Sequence, residues 1–403
     1  MKKTVKLSWV LLSVFYTLYL WVISATSSFG KLGIPEMFPR FADLRLITTA
    51  SECFQQGNWW VTGESCDPWG RPFNYPSLWV KLFSFFGLGN SQTVVLGNIE
   101  IVILSASLSY WIIRSRALLK SKNQIRAFPF FVLGVLFSPP ILLLAERGNT
   151  DILIFAGITC ASELLRRSNF FVTTTLISFL GALKLYPFAG ILVFLLAKKS
   201  KFQVFYLILV FSFTLLLTFS ELNYILRWSQ NGWNSISYGM SMIPLLALQI
   251  YPTKTIKIVS IAIGFIILVI VASIFHLLFK SFPIRVSSFP SPINIQNSGS
   301  ILSSSIFLAS YVSGTSYDYR LILATPVLLN LFISSNSAKS LRFSFAAMFL
   351  LMYLGHLTDL FGNYGIILNI VGDVSITLLA AWILQQLTTA CIITFNSRRG
   401  LID

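Results

Sequence analysis

The chain has 403 residues, of which 55% are hydrophobic and only 11% are charged, against about 25% charged residues in a typical soluble domain. This composition and a mean hydropathy of +0.75 exclude an ordinary soluble globular protein and indicate several membrane spans. The formal charge of +16 would suggest nucleic-acid binding in a soluble chain, so the positions of the basic residues decide its meaning.

Twelve segments are apolar enough to be membrane-spanning helices. In chain order they cover residues 7–25, 93–113, 128–144, 152–165, 170–183, 187–197, 202–219, 256–279, 301–312, 321–332, 343–354 and 374–388. Only residues 184–186 separate the fifth from the sixth, so one long bent helix is an alternative there. The sequence predicts an all-α, polytopic transmembrane helical bundle of about twelve helices, with a large first outer loop over residues 26–91.

The segments on the same side of the membrane as the N-terminus carry nineteen basic and two acidic residues. The loops on the other side carry eleven basic and ten acidic residues. Basic loops face the cytoplasm, so we expect a multi-pass protein of the plasma or inner membrane with both termini cytoplasmic. Nearly the whole basic excess is explained in this way, and nucleic-acid binding is not indicated. The first apolar segment is longer than usual for a signal peptide, and we expect it to be retained.

The first outer loop is longer than a simple helix connection requires. It combines carboxylates and other polar groups with indole rings: Asp43, Arg45, Glu52, Trp59, Trp60, Glu64, Asp67, Trp69, Arg71, Asn74 and Tyr75. Such a set suits a sugar, which offers hydroxyl groups to acids and an apolar face to Trp. Trp residues at the lipid headgroup level are the alternative interpretation. Cys53 and Cys66 share this loop, and both a disulfide and two free thiols remain open.

Three outer segments place polar residues beside predicted spans. They read Glu146-Arg147-Gly148-Asn149-Thr150-Asp151, Lys184-Leu185-Tyr186-Pro187 and Tyr317-Asp318-Tyr319-Arg320. Lys184 suits a phosphate as a point charge, and Arg320 offers a bidentate fork. The alternative for the first segment is that Glu146, Arg147 and Asp151 pair with one another. The alternative for Lys184 is that its side chain only extends to the membrane surface.

Other classes of site are poorly supported. His276 and His356 lie on opposite sides of the predicted membrane, so no His-based metal site is expected. There is no Walker-type loop for an ATP-driven pump. Glu100 lies within the second predicted span and Asp373 lies close to the start of the last, and ionisable residues at such positions are functional candidates.

Four motifs in order resemble a known family. They are Asp43-Leu44-Arg45 after the first helix, Phe73-Asn74-Tyr75-Pro76, the turn at residues 146–151, and Lys184-Leu185-Tyr186-Pro187. This order resembles the GT-C superfamily of integral-membrane glycosyltransferases and, within it, glycosyltransferase family 87, the polyprenyl-phosphate-mannose-dependent mannosyltransferases. Two departures are Ser77 in place of a second Pro and Asp318-Tyr319 where the family often has His-Tyr.

The resemblance implies roles for the polar residues. Asp43 would be the general base, and Lys184, Arg147 and Arg320 would bind the donor phosphate. Substrate contacts would come from Arg45, Glu52, Asn74, Tyr75, Glu146, Asn149, Asp151, Tyr186, Asp318 and Tyr319. It also implies a catalytic membrane core at residues 1–220 and an acceptor- or lipid-binding portion at residues 221–403.

The predicted function is therefore transfer of a hexose, mannose by resemblance, from a polyprenyl-phosphate donor to a glycan or glycolipid acceptor at the outer membrane face. The reaction would invert the anomeric configuration and needs no cofactor or metal on this account. A lipid-linked-sugar flippase and an O-antigen-type polymerase are the alternatives. A flippase would need charged groups continuing through the membrane, and a polymerase would carry its largest outer loop later in the chain.

Overall fold

A computed structural model describes residues 3–58, 66–196, 200–228, 237–238, 242, 254–281, 298–312, 316–335, 337–354 and 365–398. Of the residues singled out above, Trp59, Trp60, Glu64 and His356 lie outside the described residues, as does the side chain of His276.

The described residues form fifteen α-helices: α1 (Lys3–Ala25), α2 (Ala42–Gln55), α3 (Ser77–Phe85), α4 (Thr93–Arg116), α5 (Lys122–Leu136), α6 (Pro139–Arg147), α7 (Asp151–Arg166), α8 (Phe170–Leu183), α9 (Leu192–Leu196), α10 (Lys201–Trp228), α11 (Lys254–Ser281), α12 (Ser298–Val312), α13 (Thr325–Ile333), α14 (Ala338–Met352) and α15 (Gly365–Arg398). Two 3-10 helices, Tyr186–Ile191 and Asp318–Ala324, precede α9 and α13. A two-residue strand β1 (Ser237–Tyr238) pairs antiparallel with β2 (Ser316–Tyr317). The chain is thus almost entirely helical, as predicted.

Several long apolar helices mark the chain as a membrane protein, but they do not confirm a bundle of twelve spans. Within the described ranges, four helices are long and apolar enough to cross a membrane: Leu7–Ala25, Asn90–Arg116, Lys201–Phe219 and Ile370–Thr388. Helices α5 and α6 form a fifth candidate span, bent by 41°.

The predicted spans that differ most from the structure contain proline near their starts or breaks. The predicted third span is divided between α5 and α6, where Pro139 and Pro140 begin a new helix after Ser138. The predicted sixth and tenth spans each begin as a 3-10 helix rather than an α-helix. Proline lacks a backbone N–H and fixes φ, so it favours the first turn of a helix over its interior.

Helix α2 is the main correction to the predicted topology, because the sequence pattern indicates a loop over the whole of residues 26–75. The helix interleaves the charged residues Asp43, Arg45 and Glu52 with apolar ones, so it does not stand out as an apolar run. One face nevertheless buries Leu44, Ile47 and other side chains against α3, α4 and α6. Asp43 therefore lies on a packed helix.

Phe41 fixes the point at which α2 begins. Its backbone adopts a left-handed conformation with φ of 60°, and its ring is fully buried. The ring packs directly on Gly97 of α4 and on Gly148, where the backbone also has a positive φ of 55°. The catalytic candidate Asp43, two residues later, is thereby attached to α4 and to the turn after α6.

We expect Gly97→Ala to destabilise the protein, because the added Cβ would lie 2.4 Å from the Phe41 ring. Overpacking of this kind costs about 1–3 kcal/mol in the free energy of unfolding. The measurement is the thermal unfolding midpoint of the purified protein in detergent. Gly30→Ala is the control, at a position without a positive φ where a Cβ would lie no closer than 3.5 Å to the Glu36 side chain. Equal stability of Gly97→Ala and the unmodified protein would contradict the packing of Phe41.

A disulfide joins Cys53 in α2 to Cys66, with 6.1 Å between their Cα atoms. Of the two alternatives left open by the sequence, the structure therefore has the bonded one. The bridge returns the first loop to α2 immediately before Asp67 and Arg71. This part of the loop is consequently held close to α2.

The packing of α12 explains why distant segments meet. Helix α12 contacts α7 and both 3-10 helices, while α6 packs against the 3-10 helix Asp318–Ala324. The turn between α6 and α7, the segment after α8 and the segment before α13 are thereby brought to one end of the helical core. These are the three polar segments singled out in the sequence.

Candidate active site

Asp43 lies in the first turn of α2, with 16% of its side chain exposed. Its Oδ2 accepts a hydrogen bond of 2.6 Å from Asn149 Nδ2, and its Oδ1 lies 3.3 Å from Arg71 Nη1. A carboxylate near a helix N-terminus is also favoured by the helix dipole. Asp43 is thus oriented from two sides while part of it remains accessible.

Asn149 links Asp43 to the basic residue Lys184. Its Oδ1 accepts a hydrogen bond of 3.0 Å from Lys184 Nζ and one of 2.9 Å from the Asp151 backbone N–H. Because both of these partners are donors, the amide NH₂ must face Asp43 and the Tyr75 hydroxyl, which lies 3.2 Å away.

Asp151 is the centre of a buried ionic cluster. Its fully buried side chain contacts Lys184 Nζ at 2.6 Å, Arg320 Nε at 3.2 Å and the Tyr186 hydroxyl. The guanidinium of Arg320 also lies 5.4 Å from the centre of the Tyr186 ring. Lys184, Arg320 and Asp151 together carry one net positive charge, which suits the binding of an anion.

Burial sets the protonation of several groups around this cluster. It lowers the pKa of Lys184 to about 8, although the charge of Asp151 opposes the shift. It raises the pKa of both Tyr75 and Tyr319 well above the ordinary value, and the negative charge of Asp43 adds to both shifts. The two phenols therefore stay protonated at neutral pH and retain their O–H donors.

The structure brings most of the predicted site residues together. Asp43, Tyr75, Asn149, Asp151, Lys184, Tyr186 and Arg320 are connected by the contacts given above. Asp318 and Tyr319 are buried in the same 3-10 helix as Arg320. Asn74 precedes Tyr75, and its Oδ1 has no hydrogen-bond partner among the described residues.

Four other predicted residues make contacts away from this cluster. Glu146 accepts a bond of 2.7 Å from Met37 N–H and pairs with Arg147, which donates to the Pro35 carbonyl at 3.3 Å. Arg45 donates to the Asn90 side chain, and Glu52 accepts a bond of 2.9 Å from Asn90 N–H. The alternative of a paired Glu146, Arg147 and Asp151 holds only for the first two, because Asp151 binds Lys184 and Arg320 instead.

Asp67 and Arg71 belong to the site, although the sequence only places them among the polar residues of the first outer loop and predicts no role for them. Arg71 contacts Asp43, donates a bond of 2.6 Å to the Ala42 carbonyl and pairs with Asp67. Their spacing of four residues was a signal for an ion pair, but nothing in the sequence placed that pair beside Asp43. The Trp69 ring covers the guanidinium of Arg71, whose Cζ lies 4.6 Å from the ring centre.

Comparison with known proteins identifies the family of this chain. The family model described as "Glycosyltransferase family 87" matches residues 73–280, just over half of the chain. The protein belongs to glycosyltransferase family 87. The predicted resemblance to this family is thereby confirmed. No curated protein and no solved structure gives a significant match.

Membership of family 87 makes this chain a membrane glycosyltransferase, which acts on a sugar donor and an acceptor. The matched range includes Tyr75, the turn at residues 146–151 and Lys184. Asp43 and Arg320 lie outside that range, and only the folded structure brings them to the same cluster. In the part of the chain that the structure describes, no group of three or more His, Cys, Asp or Glu side chains is arranged to hold a metal ion.

Proposed function

We propose that this family 87 enzyme transfers a hexose from a polyprenyl-phosphate donor to a hydroxyl group of a glycan or glycolipid acceptor. The observation that carries the proposal is the connection between Asp43 and the cluster of Lys184, Asp151 and Arg320 through one amide, Asn149. Through it, a carboxylate lies next to a group of side chains with net positive charge. A base beside an anion-binding site is what transfer from a phosphate-linked sugar requires.

In the proposed step the acceptor oxygen attacks the anomeric carbon of the donor sugar and forms the new glycosidic bond. The bond between that carbon and the phosphate oxygen breaks, and its electron pair leaves with the polyprenyl phosphate. The acceptor proton passes to Asp43, whose accessible oxygen can take it up. Attack opposite to the leaving phosphate inverts the anomeric configuration.

Lys184 and Arg320 stabilise the negative charge that grows on the leaving phosphate. Asp151 holds both cations in place, so a phosphate would meet groups that are already oriented. The buried O–H donor of Tyr75 lies beside them and suits a remaining oxygen of the sugar or phosphate, whereas the hydroxyl of Tyr186 donates to Asp151. The family's association with mannose makes this hexose our first choice of donor sugar.

The position of α3 suits a lipid-linked donor. Trp79 Nε1 donates a bond of 2.9 Å to the Leu183 carbonyl, next to Lys184. Phe85 and Phe86, at the other end of this short helix, are largely exposed. We assign α3 to the outer membrane surface, where its apolar end meets lipid and its start borders the phosphate site. The charge asymmetry of the loops supports an outer-face site in a plasma or inner membrane with cytoplasmic termini.

The test is sugar transfer by the purified protein in liposomes, with a panel of labelled polyprenyl-phosphate hexoses and alkyl glycosides as acceptors. We expect release of polyprenyl phosphate together with a labelled glycoside of inverted configuration. Transfer from a nucleotide sugar but not from any lipid-linked sugar would contradict the donor class. Movement of labelled lipid across the bilayer without transfer would favour the flippase.

A further inference from the structure

Asp67 is more completely bonded than any other acid near the site. Its Oδ2 accepts hydrogen bonds from the backbone N–H groups of Trp69 at 3.1 Å and Arg71 at 3.0 Å. It also forms a bidentate pair with Arg71, through Nε at 3.1 Å and Nη2 at 3.0 Å. With its side chain only 1% exposed, Asp67 fixes both the backbone and the guanidinium of Arg71.

Arg71 is held as a charged group between two carboxylates. Burial opposes its charge, but the bonds to Asp67 and the charges of Asp43 and Asp67 raise the pKa of its guanidinium above the ordinary value. The two ion pairs differ in strength. Asp67 has two contacts near 3.0 Å, whereas Asp43 has one at 3.3 Å and is partly exposed.

This asymmetry matters for a base. An arginine that formed a bidentate pair with Asp43 would occupy both carboxylate oxygens and strongly favour the ionised form, which makes a carboxylate a poorer proton acceptor. An arginine whose charge is mainly matched by another acid can orient Asp43 through one oxygen. The other oxygen then binds Asn149 and remains available to an acceptor hydroxyl.

We infer that Asp67 is a positioning residue for Asp43, which acts by holding Arg71 in an orientation that aligns the base without forming a full ion pair with it. The disulfide of the adjacent Cys66 ties this arrangement to α2. The inference rests on the proposed function, in which Asp43 accepts the proton of the acceptor.

Other titratable groups also face Asp43, so a test of its pH dependence must leave these groups unchanged. Apart from Arg71 they come from the loop before α3, from α4 and α6, from the turn after α8 and from the 3-10 helix before α13: Tyr75, Glu100, Glu146, Lys184 and Tyr319. None of them contacts Asp67 in the bonds described above. A change at Asp67 therefore reaches Asp43 through Arg71 and through the direct repulsion between the two carboxylates.

The experiment compares the pH dependence of kcat/KM for sugar transfer in Asp67→Asn and the unmodified enzyme. Asn keeps an oxygen for the backbone N–H groups of Trp69 and Arg71 but removes the charge that matches Arg71. We expect the midpoint of the acidic limb to fall by about one pH unit. The plateau rate should fall about tenfold, because the base is weakened. An unmoved acidic limb with a lower rate would show a merely structural role and overturn the inference.

Glu163→Gln is the matched control, because Glu163 also pairs with arginines but lies near the opposite end of α7. Its pH profile should equal that of the unmodified enzyme. If Asp67→Asn does not fold, the double variant Asp67→Asn/Arg71→Gln removes both charges together, and the acidic limb should then move upward by about one pH unit. An unmoved limb in that variant would equally overturn the inference. Full transfer by Asp43→Asn would instead refute the proposed function itself.

Discussion

Asp43→Asn is expected to lower kcat for sugar transfer about 10³-fold, because the amide cannot accept the proton of the acceptor hydroxyl. The substitution keeps the size of the side chain, and its oxygen can still accept the bond from Asn149 Nδ2. Among the contacts described above, Asp43 is linked to Lys184 of the donor site through Asn149, so the KM for the donor should stay within about threefold. Steady-state kinetics with a lipid-linked hexose measure both constants.

Asp43→Glu extends this test, because it keeps a carboxylate but moves it by one methylene group. Activity between those of the unmodified enzyme and Asp43→Asn is expected. Glu163→Gln controls for the general effect of replacing an acid by its amide. Loss of donor binding in Asp43→Asn, with kcat preserved, would assign Asp43 to substrate binding and refute its role as a base.

Lys184→Met is expected to lower kcat/KM for the donor about 10²- to 10³-fold, because the phosphate loses a preoriented positive charge. It also leaves Asp151 buried with Arg320 as its remaining cationic partner. Removing one partner from a buried ion pair costs about 3 kcal/mol or more in the free energy of unfolding. Thermal unfolding in detergent therefore measures the loss of stability, and donor kinetics measure the loss of phosphate binding.

The double variant Lys184→Met/Asp151→Asn separates these two effects. Asp151→Asn removes a buried carboxylate that has lost one of its two cationic partners, so it should recover part of the thermal stability, but donor binding should remain weak. Lys81→Met, which changes an exposed lysine on α3, controls for loss of surface charge. Recovery of transfer in the double variant would mean that Lys184 serves the fold and not the phosphate.

We also expect the activity of the unmodified enzyme to decline at alkaline pH because of Lys184. Lys184 binds phosphate in its protonated form, and burial lowers its pKa to about 8. Donor affinity should therefore be complete well below pH 8 and decline as the pH rises through that value. Lys184→Met should show weak donor binding at all pH values, without this decline.

Much of the candidate site could be predicted from short polar segments beside apolar ones. Asn149, Asp151, Lys184 and Arg320 stood out because turn chemistry alone does not require charges so close to hydrocarbon. Their mutual contacts could not be predicted, because they depend on how α12 packs between segments far apart in the chain. For the same reason Arg147, which looks equivalent to Lys184 in sequence, lies against Pro35 in the structure.

Helix α2 and the role of Arg71 were not predicted, for different physical reasons. The polar positions of α2 conceal its apolar stripe when neighbouring residues are averaged, and its buried face becomes evident only against α3 and α4. Arg71 lies in an irregular loop, where no periodicity indicates which neighbour its side chain will meet. The count of twelve spans is not confirmed, because proline and 3-10 turns divide apolar runs that hydropathy alone reads as continuous.

The disulfide between Cys53 and Cys66 closes the residues between them into a covalent loop. The chain leaves α2 and returns to it before reaching Asp67, so insertions or exchanges between the two cysteines need not displace the parts on either side. Related enzymes could therefore vary this stretch in length and sequence while keeping one reaction chemistry.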